Sequence, residues 1–572
     1  SNALYTQIAG APFEVKILSL NEEKTATAPF EGEIILSLIA TPTFLGGEEN
    51  KATDQALCTN APSLWNKTYD FTGEDALSVP LMHEEAHQKV SFRISYEKNG
   101  QVLHACALDS FSIRPKTYYI ANASKSSSPW YGGEPYQYTF TAINMQEETT
   151  VNYTYAPEED YALEYVLEAL HPSLSCKEKS PAYYFYTNFP FPFDEGVALW
   201  PETPYPNVGD VAITLTDSDW SAVDLAHGEK QFDDCIAGSS INTADSQGKV
   251  GCDVQGRREF AFMPKSLKAH LEPNAFDAFY YVGLEKEKNP AFLLNVQAML
   301  FDGNTTAPSY DEACFAKDVN LTLTLPEIPP ARTFSYWTEG TQAKTTKFSG
   351  ENVAIYFQKE IFENGKASTT FHLGIDRNSS DPHNPFSLHV SDFDVPYIED
   401  AQGVLGQSFN QSPLMGKILT FYFGRAYAPD YTFLENEGEA KVYYEVYCDD
   451  CNQTEVAIDG NQSIALGPWF INTRHTSSAQ GTMHAPSAQL GTTVTMINNN
   501  TLHLFAPKQP HVDAIDLNAS FWLTYSPENF YVEFLDASSE WAGKGGVNAQ
   551  GDVGTHTNQT PSLKHHQRRI QW

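Results

Sequence analysis

Along most of this chain, apolar and polar side chains alternate one for one over short runs. Such a period of two sends successive side chains to opposite faces of a strand, so that one face of each run can be buried. The run "KVSFRISYEKNGQVLHACAL" places Val90, Phe92, Ile94 and Tyr96 on one face, turns at Asn99-Gly100 and resumes at Val102. An Asn-Gly pair between alternating runs is the strongest short-range hairpin signal. Similar alternation runs through "VAITLTD", "NVAIYFQ", "KILTFYFG", "AKVYYEVY" and "SFWLTYS". Helical periodicity is scarce. Only "DYALEYVLEAL", Asp160 to Leu170, lines up Leu163, Val166, Leu167 and Leu170 on one stripe, and it predicts a helix. With 34 Pro and 35 Gly between the short runs, the expected class is all-β: tandem Ig-like β-sandwich domains forming an elongated rod.

Internal repetition suggests where the domains begin and end. "CALDSFSIRPK" (Cys106 to Lys116) recurs as "CDVQGRREFAFMPK" (Cys252 to Lys265), matching Phe111 to Phe260, Ile113 to Phe262, Pro115 to Pro264 and Lys116 to Lys265. "VAITLTDSDW" (Val211 to Trp220) pairs with "FSLHVSDFDV" (Phe386 to Val395), in register through Asp217 with Asp392 and Asp219 with Asp394. The expected domains are an Ig-like sandwich at 4–115, two copies of one β-sandwich module at 116–264 and 265–403, and a distinct C-terminal β domain at 404–572. Proline fixes φ and restricts the residue before it, so Pro115 and Pro264 read as stiff joints.

"CALDSFSIRP" at the close of a β-domain, the modules after it and "FYFGRAYAPDY" together resemble the C-terminal region of the MSHA pilus-biogenesis protein Q family and related large bacterial surface proteins. The resemblance implies a cell-surface or pilus-associated protein with no known chemistry of its own. Met263, where the repeat would carry Arg, departs from the pattern.

Charge and cysteine content narrow the partners and the compartment. Lys and Arg number 36 against 72 Asp and Glu, a net charge of −36, which argues against nucleic acid and anionic membrane surfaces as partners. No run approaches the length of a membrane helix, so no membrane insertion is expected. Eight cysteines, Cys58, Cys106, Cys176, Cys235, Cys252, Cys314, Cys448 and Cys451, read as disulfides formed in an oxidising compartment. Cys58 with Cys106 and Cys235 with Cys252 are the favoured pairs, and Cys448 with Cys451 reads as a small structural bridge at a strand end. The expected location is extracellular, on a bacterial cell surface reached through the periplasm. Twelve Asn stand in N-x-S/T, and six of them, Asn304, Asn320, Asn378, Asn452, Asn461 and Asn518, carry Asp two residues earlier. The combined Asp and Glu fraction of the chain would place about one or two acidic residues there by chance. The excess resembles the extended acceptor of bacterial N-glycosylation and marks these six as glycosylation candidates.

"HEEAH" sets His83, Glu84 and His87 in the spacing of a zinc peptidase, in which two imidazoles share one helix face and the Glu activates water. That chemistry requires a helix. Only His83 to Gln88 lies between two strand-like runs, under two helical turns, so the motif reads as a loop entering a sandwich strand. The "D-x-D" loops, Asp217, Asp219 and Asp224 and then Asp392, Asp394 and Asp400, offer the oxygen donors that calcium prefers, and calcium is the one cofactor to consider. Their competing role is to cap turns at strand ends. The aromatic runs "SPWYGGEPYQY" (Ser128 to Tyr138) and "YYFYTNFPFPF" (Tyr183 to Phe193) offer a sugar-stacking surface or else core packing. The resulting expectation is a non-enzymatic surface structural or adhesion protein whose partners are surface or pilus proteins and glycans. The alternative is an extracellular carbohydrate-active enzyme or a zinc peptidase.

Overall fold

A computed structural model of the chain describes residues 4–505 apart from 24, 41–50, 108, 155–162, 180–184, 189–190, 225–232, 275, 284–285, 329–332, 339–344, 349, 376–380, 408–415, 428–436, 442, 452–455, 457–458, 464–466, 477–492 and 499–500, and in addition 516–518 and 546–548. It forms two compact units, one of residues 1–266, 298–316 and 362–365 and the other of 267–297, 317–361 and 366–572.

The first unit opens with β1 (Gln7–Ile8), β2 (Phe13–Leu18), β3 (Glu31–Ala40), α1 (Lys51–Asn60), β4 (Ser63–Thr72), β5 (Ala76–Leu81), β6 (His87–Lys98), β7 (Gln101–Cys106) and β8 (Phe111–Arg114). One sheet runs in the order β1-β8-β6-β3-β4, with β7 also on β6, and the β2-β5 pair forms the other. Leu36 and Leu38 of β3, Val90 and Phe92 of β6, and Phe111 and Ile113 of β8 meet Val15, Ile17, Val79 and Leu81 in one core. The period-two pattern therefore buries the face that it marks. Lys98 pairs with Gln101 across a two-residue turn in which Asn99 and Gly100 have φ of 56° and 75°, the left-handed conformation that a tight hairpin requires.

A second sandwich follows with β9 (Thr117–Asn122), β10 (Trp130–Tyr131), β11 (Pro135–Ile143), β12 (Leu163–Leu170), α2 (Leu174–Lys179), β13 (Phe185–Asn188), β14 (Val197–Pro204), β15 (Gly209–Asp217) and β16 (Val254–Met263). Its sheets are β10-β16-β15-β12-β13 and β14-β11-β9. The helix expected at Asp160 to Leu170 is corrected: Leu163–Leu170 is a strand, paired with β15 from Leu163↔Asp217 to Leu170↔Asp210. Leu163, Tyr165 and Ala169 are buried at strand spacing, and a central ladder outweighs a weak helical stripe.

The two sandwiches share one plan. In each, a short first-edge strand lies parallel to the last strand, β1 on β8 and β10 on β16, and the next residue, Ala9 or Gly132, donates its N–H to Arg114 O or Met263 O. Lys116 N and Lys265 N likewise both donate to the end of a later strand, at Ile143 O and Met299 O. A parallel first edge on a Greek-key pair of sheets is the Ig-like arrangement.

The second unit carries most of a third sandwich, built from β17 (Ser266–Pro273), β18 (Tyr280–Tyr281), β19 (Ala291–Met299), β20 (Val319–Thr324), β21 (Thr333–Thr338), β22 (Thr345–Phe348), β23 (Asn352–Phe357), β24 (Lys366–Ile375), β25 (Phe386–His389), β26 (Asp394–Asp400), β27 (Gly406–Gln407) and β28 (Ile418–Tyr422). Again a short strand, β18, runs parallel to the last one, β28, which pairs with β25, so the ladder of this sandwich continues to Tyr422. Val319 of β20 faces Asp400 just as Leu163 of β12 faces Asp217. Asp400 is thus the partner of Asp217 by topology, and the Asp217–Asp392 register is corrected; a 3-10 turn at Val390–Asp392 lengthens the later strand. Beyond lie β29 (Gly424–Tyr427), β30 (Glu437–Lys441), β31 (Tyr443–Tyr447), β32 (Gly460–Gln462), β33 (Trp469–Asn472), β34 (Thr493–Asn498), β35 (Thr501–Phe505), β36 (Asp516–Asn518) and β37 (Gly546–Asn548). They form the sheets β29-β31-β33-β32 and β30-β35-β34 and the pair β36-β37.

Candidate functional site

Within the first unit, the ends of the first two sandwiches meet in a polar joint. The loop between β15 and β16 returns over β8 and is closed by the Cys235–Cys252 disulfide. Arg114, the last residue of β8, is 0% exposed. Its Nε donates to Gly251 O at 2.7 Å, Nη1 to Pro115 O at 2.9 Å and Nη2 to Ile241 O at 3.0 Å. Burial pulls the guanidinium down to about 10, while Asp253 and Tyr118 act to raise it. Gly251 is required at this point because a Cβ there would lie 2.1 Å from Ser239 O. On the other side, the Trp220 indole donates to Ile113 O at 3.0 Å.

Asp224 completes the joint. Its Oδ2 accepts from Ser112 N at 2.9 Å and from the Thr6 hydroxyl in a short contact. Its Oδ1 is buried with no hydrogen-bond partner among the described residues. Burial pushes this carboxyl up to about 7, against the two hydrogen bonds that lower it and with Asp234 and Asp109 adding to the rise. Asp224, a calcium-loop candidate by its spacing, thus serves Ser112 N and Thr6 instead, and Arg114 carries no motif that marks its role. The one available signal was the mismatch of Arg114 with Met263, since a lone cation at the end of an apolar strand needs acceptors.

The "HEEAH" segment lies at the other edge of the same joint. β5 ends at Leu81 and β6 begins at His87, and the residues between form no helix, which removes the geometry a zinc peptidase needs from this motif. His83 O accepts from Gly10 N at 2.7 Å, and Glu84 O accepts from Asn144 Nδ2 at 3.3 Å. The two imidazoles turn toward one another, with Nε2 to Nε2 3.0 Å and ring centroids 5.0 Å apart. Asn152 Nδ2 lies 3.5 Å from His87 Nε2, and Asn152 N donates to Glu85 Oε2 at 3.4 Å. Burial lowers both histidines; for His87, burial and the neighbouring His83 bring it to about 4. Among the described residues, no three His, Cys, Asp or Glu side chains gather in a metal-binding group.

The aspartates of the two "D-x-D" loops serve backbone groups where they are buried. Asp217 Oδ1 accepts from Asp219 N and Trp220 N, and its Oδ2 accepts from the Tyr153 hydroxyl at 2.6 Å. Asp400 Oδ1 accepts from Gln402 N and Val404 N. Asp219, Asp392 and Asp394 are exposed. Four disulfides join Cys58–Cys106, Cys176–Cys314, Cys235–Cys252 and Cys448–Cys451, including both pairs that the sequence favours.

Of the glycosylation candidates, Asn304, Asn320 and Asn461 are exposed, Asn378 and Asn452 lie outside the described residues, and Asn518 sits in β36. Asn122, a sequon without the acidic residue, is buried and its Oδ1 accepts from Ser124 N and Lys125 N. The aromatic runs are core where they are described: Tyr136, Tyr138 and Phe193 are buried in the second sandwich, and Trp130 and Phe191 pack against them. Tyr183, Tyr184, Phe189 and Pro190 lie outside the described residues. No described helix is long and apolar enough to cross a membrane.

No family model and no curated protein matches the chain. Solved structures with some likeness include the cadherin-like domains 1 to 4 of zebrafish RET, at 11% identity over 96% of this chain and 99% of that one, with a TM-score of 0.21. The FN1–FN3 domains of chicken CNTN1 align at 9% identity over 73% of this chain and 98% of that one, with a TM-score of 0.16. Elastase-activated Escherichia coli alpha-2-macroglobulin aligns at 9% identity and a TM-score of 0.16 over 77% of this chain, which spans about a third of that protein's length (32%).

Proposed function

We propose that this chain is a non-enzymatic structural or adhesive part of a bacterial cell-surface protein, associated with a pilus or the envelope, whose partners are surface or pilus proteins and glycans. Ig-like sandwiches and four disulfides are the make-up of a secreted or surface structural protein. The observation that carries the finer reading is the joint at Arg114 and Asp224, where buried polar groups spend their hydrogen-bonding capacity on holding one module to the next. A flexible tether would not bury a guanidinium at its hinge, because an unanswered buried charge costs several kcal/mol, on the order of 3–5.

Immunogold labelling of intact native cells, with antibody raised to the whole chain, tests the location. Gold on pili or the outer envelope is the expected result, and label that appears only after the cells are permeabilised overturns the reading. Adhesion is tested separately, by a glycan array and by co-purification with sheared pili; loss of both signals would leave structure without adhesion.

A further inference from the structure

We propose that His83 and His87, with the Asn152 side chain, form a binding site for one divalent transition-metal ion, Cu²⁺, Ni²⁺ or Zn²⁺, that bridges the first and second sandwiches. This is a structural site and owes nothing to a peptidase helix, since His83 is in a loop and His87 opens β6. The chemistry is that of two neutral imidazoles. Metal–nitrogen bonds of about 2.0–2.1 Å place two donor nitrogens about 2.9 Å apart at a right angle and about 3.4 Å apart at a tetrahedral angle. The observed Nε2 to Nε2 distance of 3.0 Å falls between these values.

The two Nε2 atoms face each other, as the ring centroids stand 5.0 Å apart while the nitrogens are 3.0 Å apart, a contact that one neutral ring fills as hydrogen-bond donor when no ion is bound. The third donor comes from the other module. Asn152 Nδ2 is 3.5 Å from His87 Nε2, so a half-turn of the amide offers Oδ1 to the same ion. Water would fill the remaining positions. Two nitrogens and an amide oxygen select borderline ions over calcium or magnesium, which prefer all-oxygen sites. An ion here would link the β5–β6 loop of the first sandwich to the Asn152 turn of the second.

The test uses the whole 572-residue chain with Cu²⁺ alone as the probe, by titration calorimetry and electron paramagnetic resonance. One equivalent bound, with hyperfine splitting from two imidazole nitrogens, is expected. His83→Ala and His87→Ala should each weaken binding at least tenfold, Asn152→Asp should tighten it about tenfold by supplying a carboxylate, and a His565→Gln, His566→Gln double variant should leave it unchanged. The proposal is overturned by the absence of a stoichiometric site, by a site that survives both alanine variants, or by a spectrum with fewer than two imidazole nitrogens. Should an alanine variant fail to fold, His83→Gln and His87→Gln take its place, and a two-nitrogen spectrum that either of them leaves intact overturns the proposal equally.

Discussion

Replacing Arg114 by Met, the residue that the repeat carries at position 263, tests the joint most directly. The guanidinium makes three hydrogen bonds, to Gly251, Pro115 and Ile241 carbonyls. Bonds from a charged donor are worth about 1.5–3 kcal/mol each, so the set contributes about 5–9 kcal/mol. Against this stands the burial of the cation. Its fall from 12.5 to about 10 corresponds to about 3 kcal/mol of disfavoured charge, which Met would relieve. Exchanging a buried ion pair for apolar residues is often neutral, but only when both partners change. Here the acceptors are backbone carbonyls and remain, so the loss dominates by about 2–6 kcal/mol.

A chain of several sandwiches does not unfold in one step, so the readout must be local. The amides of Ile236, Gly251 and Cys252, which donate to Val250, Ile241 and Ile236, report on the loop held by Arg114. Hydrogen exchange there should accelerate at least about thirtyfold in the Arg114→Met protein, while β3 and β6 keep their protection. Arg114→Lys should fall between, as one ammonium replaces a planar fork. Unchanged exchange at those three amides in a folded Arg114→Met protein would refute the argument.

Other consequences follow from the same region. Asp224 has a folded-state pKa of about 7 against its usual 3.8, so between those values the folded chain holds a proton that the unfolded chain has released. Its contribution to stability is therefore greatest below about pH 4 and is lost as pH rises through about 7, by up to about 4 kcal/mol; Asp224→Asn should flatten that slope in urea titrations of the first unit, and an unchanged slope would count against it. The histidines act in the opposite sense: with His87 lowered to about 4, stability is present above pH 6.5 and declines as pH falls toward 4, and nuclear magnetic resonance should show its ring neutral at pH 5.5. Glycopeptide mapping of protein from the native host should find sugar at Asn304, Asn320 and Asn461 and none at the buried Asn122; modification of Asn122 in folded protein would contradict its burial.

Much of the secondary structure could be read from the residues because strand alternation is a local signal. Val90, Phe92 and the Asn99-Gly100 turn behave as their spacing requires. Local signals misled where pairing mattered more. The stripe at Leu163, Val166, Leu167 and Leu170 has helical spacing, yet β15 supplies a complete ladder of hydrogen bonds along the same residues. "HEEAH" carries the right letters in a segment too short and too constrained by β5 and β6 to form a helix. The Asp217–Asp392 match follows letters, whereas the ladder pairs Asp217 and Asp400 with the first residues of corresponding strands.

The sequence by itself determined the class: short alternating runs, turns rich in Gly and Pro and an even number of cysteines specify disulfide-stapled β-sandwiches. Only the tertiary structure decided which polar groups matter. Arg114 and Gly251 are 137 positions apart, and Thr6 and Asp224 are 218 apart. Whether such groups meet depends on the path of the loop between β15 and β16, which no local period records. Once they meet, burial gives them their weight, because the same guanidinium or carboxyl in water would contribute almost nothing to holding two modules together.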